Sequence, residues 1–139
     1  MRRWPPEPRP GPHAENGADT LRRAQQQQAD AARLGFDWPA PAPIWAKLRE
    51  ELAELEEAIA AQDPGAMRHE LGDVLYTVVN LGRALGVPAQ QALADTCARF
   101  DARLRHVQGQ LDAAGQGWQD LGLDELEACW QRAKREGGL

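Results

Sequence analysis

Apolar residues recur at helical spacing in two consecutive runs between Lys47 and Arg83. The first carries Leu48, Leu52, Leu55 and Ile59, the second Leu71, Val74, Leu75, Val78, Leu81 and Leu85. Each run predicts an amphipathic helix with one apolar stripe. The first helix is expected to begin around Ile44 to Lys47 and to stop at Asp63-Pro64-Gly65; the second should run from near Ala66 to Gly86. Upstream, Asp19 or Thr20 can cap a helix with a thin stripe of Leu21, Ala24, Gln28, Ala31 and Leu34, closed by Gly35. Gln25 to Gln28 read as ordinary helix surface. The prolines at 39, 41 and 43 predict an extended break before the next helix. Downstream, the longest helix is expected from Ala89 to Ala114, with a seam of Leu93, Cys97, Phe100, Leu104, Val107 and Leu111. A short terminal helix passes through Leu123, Leu126, Cys129 and Trp130. The fold class is therefore all-α, a helical bundle of four principal helices plus a short C-terminal one. Stripes this thin leave apolar surface for a second copy, so a homodimer or higher homo-oligomer is expected.

Composition narrows the setting. Residues 1–17 hold five of the ten prolines and no apolar periodicity, which predicts a disordered tail ahead of a single domain over 18–139. A net charge of -5 gives no basic face for nucleic acid. Cys97 and Cys129 are too few and too far apart for a disulfide framework, and both are expected reduced, in or near the core. No apolar run is long enough for a membrane span, and the prolines after Trp4 replace the apolar segment of a signal peptide. The expected location is cytoplasmic.

The charge pattern on the two central helices is more specific. At about 100° per residue, Glu51 and Glu54 lie roughly 75° and 135° to one side of the first stripe, and Glu70 and Asp73 lie at the same offsets from the second. Packing stripe on stripe would then gather four carboxylates at the shoulder of the core, where repulsion calls for a cation. Oxygen ligands from several side chains suit a hard ion, Mg2+ or in its place Mn2+. Lys47, one turn before Glu51, serves either as a helix ion pair or as a phosphate ligand. Asn80, seven residues after Asp73, projects from the same face as that acid. Gly72 between the acids suggests close approach of another helix. Trp38 in its proline-rich loop either plugs the end of the bundle or offers its ring to a base or sugar.

Glu50-Glu51-Leu52-Ala53-Glu54, followed after 15 residues by Glu70-Leu71-Gly72-Asp73, resembles the EExxE and ExxD signature of the MazG nucleoside triphosphate pyrophosphohydrolases. Gly35-Phe36-Asp37-Trp38, Val79-Asn80-Leu81-Gly82-Arg83, Arg99-Phe100-Asp101-Ala102-Arg103-Leu104 and the stretch from Glu127 to Lys134 extend the likeness over about residues 20 to 136. His69 departs from it, standing where relatives commonly carry Glu. The resemblance implies an all-α enzyme that hydrolyses a nucleoside triphosphate between its α and β phosphates, giving monophosphate and pyrophosphate for nucleotide clean-up. It implies Glu51, Glu54, Glu70 and Asp73 as catalytic metal ligands, Arg99, Arg103 and Arg83 as substrate-binding residues beside Lys47 and Asn80, Trp38 beside the substrate, and a dimer with its site near the interface. Two other readings stand beside it: a different all-α pyrophosphohydrolase, specific for deoxynucleotides or of the phosphoribosyl-ATP type, and a non-catalytic helical dimerisation module.

Overall fold

The computed structural model describes residues 17–137, all-α and without a strand among those residues. The tail expected over residues 1–17 lies outside them apart from Gly17, which opens the first helix. In chain order the elements are α1 (Gly17–Arg33), α2 (Pro41–Ala60), α3 (Pro64–Ala84), α4 (Ala89–Ala113), a short 3-10 turn (Trp118–Asp120) and α5 (Leu123–Glu136). No helix among them is long and apolar enough to cross a membrane. They fall into two compact units, one ending at Gln90 and one beginning at Gln91.

In the first unit α3 packs on both α2 and α1. Helix α2 starts earlier than expected, because Pro41 and Pro43 sit in its first turn, where backbone N–H groups have no helical partner to lose. Asp63 caps α3 by accepting from the Ala66 N–H at 3.2 Å, with Pro64 as the first helical residue. Gly35 (φ 92°) and Gly86 (φ 71°) end α1 and α3 in the left-handed region that favours glycine.

The faces that turn inward correct the expected stripes. On α2 the buried residues are Ile44, Leu48, Glu51 and Ala58, while Leu52 and Ile59 are exposed. On α3 the buried residues are Val74, Val79 and Leu81, while Leu71, Leu75, Val78 and, just past its end, Leu85 are exposed. Glu70, Asp73, Thr77 and Asn80 are half-buried. Glu51 therefore lies on the inward arc, while Glu54, Glu70 and Asp73 are half-buried, as a shoulder position implies. A side chain at Gly72 would meet nothing within 4 Å, so the expected close approach is absent there. The tight position is Gly82, where an added Cβ would come within 3.2 Å of the Val87 carbonyl oxygen in the connection that follows α3.

The glutamine run is not plain surface. Gln25 Nε2 donates to the Val87 carbonyl O at 3.0 Å and its Oε1 accepts from the Ala89 N–H at 3.0 Å, tying α1 to the connection that follows α3. Gln27 Oε1 accepts from the Tyr76 hydroxyl at 3.2 Å, and Gln28 Nε2 donates to the Tyr76 carbonyl O at 2.8 Å.

The second unit is built on Val107, Leu111 and Ala133, with Leu121, Cys129 and Trp130 packed against them. Phe100 and Trp130 meet at 5.3 Å between ring centroids. Only the C-terminal half of the expected α4 seam is buried: Leu93, Cys97 and Phe100 are exposed. Both cysteines are free, and Cys129 alone lies near the core.

Candidate active site

Glu51 stands on the inward arc of α2, one helical turn after Lys47. Its carboxylate is enclosed at 5% exposure and held by the Lys47 ammonium at 2.9 Å. Removing a carboxylate from water disfavours its charge, while a cation beside it favours the charge. The cation wins: the Lys47 hydrogen bond holds Glu51 below the ordinary carboxylate range against the opposing effect of burial. The Lys47 ammonium is raised in turn, first by Glu51. Glu54 goes the other way, raised by desolvation and by the neighbouring charge of Glu51.

One oxygen from each of Glu51, Glu54 and Glu70 lies within 4.8 Å of the others. A second group shares Glu70 and adds Asp73 and His69, whose Nε2 is 3.2 Å from Asp73 Oδ2. The four acids thus form two overlapping sets around Glu70. The Oε2 atoms of Glu51 and Glu70 are buried without a hydrogen-bond partner, an arrangement that is unfavourable for a carboxylate unless a cation is added. Oxygen donors in this number and with this charge fit a hard divalent ion.

Next to this cluster is a pocket of about 340 Å³. Lys47 belongs to its wall and to the acid cluster at once. Trp38 is no plug: it is 46% exposed and lines the pocket together with Phe36, Tyr76 and Thr77. Arg83 is occupied within the chain. Its Nη2 donates to Asp37 Oδ1, its Nη1 donates to Asp37 Oδ2 at 3.3 Å, and its Nε donates to Asn80 Oδ1 at 3.0 Å. Asp37 also accepts from the Trp38 N–H at 2.8 Å. This pins residues 36–38 to α3, and the Arg83 guanidinium holds the Asp37 carboxyl below its ordinary range. Asn80 lines the same pocket.

Arg99 and Arg103 belong to the second unit. Arg99 Nη2 donates to Thr96 Oγ1 at 3.0 Å, and the Arg103 guanidinium lies 5.6 Å from the centroid of the Trp130 ring. The sequence reading overlooked Asp37 and Gln28. Asp37 lies in a quoted motif but has no helical period to place it. Helical spacing puts Gln28 on the inner stripe of its helix but gives it no polar role there.

Residues 40–108 match the model of the MazG nucleotide pyrophosphohydrolase domain. The chain is 34% identical over 114 residues to the nucleoside triphosphate pyrophosphohydrolase/pyrophosphatase MazG of Thermotoga maritima, covering 82% of this chain and 44% of that protein. It is 36% identical over 118 residues to a nucleoside triphosphate pyrophosphohydrolase of Escherichia coli, covering 84% of this chain and 45% of that one. The chain thus spans less than half the length of these curated relatives. All four acids lie inside the matched segment, and the chain belongs to the MazG nucleotide pyrophosphohydrolase family.

Proposed function

We propose that the chain hydrolyses nucleoside triphosphates to the monophosphate and pyrophosphate, with Mg2+, or Mn2+ in its place, held by Glu51, Glu54, Glu70 and Asp73. The observation that carries this reading is the convergence of three carboxylate oxygens within 4.8 Å beside a ligand-sized pocket. Bound there, the ion would offset phosphate charge and acidify the attacking water.

The remaining work falls to the chain's own groups. Water adds at phosphorus, the bond between the α and β phosphates breaks, and the pyrophosphate leaves with the bridging oxygen. A carboxylate of the cluster orients the water and takes its proton. Lys47 keeps Glu51 ionised and offers positive charge at the edge of the pocket. Asn80, its Oδ1 fixed by Arg83, has its amide N–H groups to present to a phosphate oxygen. Arg83 supports substrate binding by pinning the loop that carries Trp38. Arg99 and Arg103 are assigned to triphosphate charge by family resemblance alone. The same reading sets the enzyme in the cytoplasm, in nucleotide clean-up, without nucleic-acid or membrane partners.

Product analysis with a panel of ribo- and deoxynucleoside triphosphates, with Mg2+ and with chelator, tests the proposal. Metal-dependent release of monophosphate and pyrophosphate is expected. Diphosphate and orthophosphate as products would overturn it.

A further inference from the structure

Gln28 on α1 is a neutral amide at 7% exposure. Its Nε2 is committed to the Tyr76 carbonyl O at 2.8 Å. That bond fixes the amide's orientation, because a flip would set two carbonyl oxygens against each other. Its Oε1 is consequently the free end, and it is buried with no partner. A buried acceptor in this state is unfavourable unless something donates to it.

Gln28 is also part of the pocket wall. Two aromatic side chains of the same wall, Phe36 at 84% exposure and Trp38 at 46%, have most or much of their surface uncovered. A flat heterocycle with an N–H on its edge answers both features, the rings by stacking and the amide by donating. Lys47 joins this pocket to the carboxylates, so a heterocycle carried on a phosphate chain matches both halves.

We propose that this pocket receives the nucleobase and that Gln28 Oε1 accepts a hydrogen bond from an amino or imino group on the base edge. The inference rests on the pyrophosphohydrolase reading for the class of ligand but not for its cleavage. Gln28 becomes a specificity-determining residue.

The test uses the full chain and its near-isosteric Gln28→Met variant with Mg2+. Each is titrated with an α,β-methylene nucleoside triphosphate and with ribose 5-triphosphate, which has no base. The preference for the base-bearing ligand should fall roughly tenfold or more in the variant. Equal weakening of both ligands, or no change, would overturn the assignment. Should the variant fail to fold, the unaltered chain decides: a nucleotide whose edge N–H groups are replaced by N-methyl should bind roughly tenfold more weakly than its parent, and equal affinity refutes the contact. Base-dependent binding without pyrophosphate release from the natural triphosphate sinks the hydrolysis reading and leaves Gln28 standing. Pyrophosphate release with an unchanged preference does the reverse, and binding of neither ligand removes both.

Discussion

The chemistry of single residues turns on Glu51. Its enclosed carboxylate has one oxygen on Lys47 and the other unpartnered, which fits the ion ligand proposed above. Glu51→Gln keeps the shape and removes the charge. It should reduce pyrophosphate release by at least about a hundredfold, and the rise in melting temperature expected for the parent chain with Mg2+ should be absent in the variant; steady-state assay and thermal denaturation check both. Asp37 supplies a pH dependence. Its folded pKa is lowered by Arg83, so it contributes stability above the ordinary carboxylate pKa, and that contribution is lost as pH falls through the lowered value. In Asp37→Asn the acid limb of the stability curve should be shallower, and KM for the triphosphate should rise because the Trp38 loop is no longer pinned. Urea unfolding across the acid range measures the first effect. Arg83 illustrates what a residue type alone leaves open: a guanidinium near acids reads as an anion ligand until its partner on another element is known.

At the scale of helices, periodicity identified which residues share a face but not which face turns inward. Helices α2 and α3 carry apolar residues around much of their circumference, so two different arcs each look like a core stripe. The arc that packs includes Glu51 on α2, and Glu70 and Asp73 on α3 are half-buried. The run Gln25–Gln28 shows the same limit. Periodicity placed Gln28 alone of the four on the inner stripe, where it is buried, but not the different partners that Gln25, Gln27 and Gln28 find on or beside α3. Helix α4 forms over the expected length, but its seam packs only in the second half, where α5 supplies the packing surface. Leu111, at 1% exposure within that core, gives a direct measure of it: Leu111→Ala should cost about 2–5 kcal/mol, read as a lower urea midpoint.

For the whole molecule, the outward apolar residues of the first unit bear on assembly. Leu52, Ile59, Leu71, Leu75, Val78 and Leu85 are each more than 40% exposed on two neighbouring helices, a concentration of apolar surface that monomers rarely leave bare. We propose that a second copy covers this face. Light scattering should then give a dimer mass, and Leu75→Asp should shift it to that of a monomer. An unchanged mass would leave these residues without that role.

The sequence by itself determined the helical class, the approximate ends of α1, α3 and α4, the order of the acidic pairs and the family. These are local properties: propensity, capping residues, proline positions and residue spacing depend on neighbours a few places away in the chain. Only the tertiary structure decided that Glu51 faces inward, that Arg83 is tied to Asp37, that Trp38 borders a pocket, and that Gln28 has one buried oxygen without a partner. Each depends on contacts between elements distant in sequence, and on which of two apolar arcs is withdrawn from water. Helical spacing is indifferent to that choice.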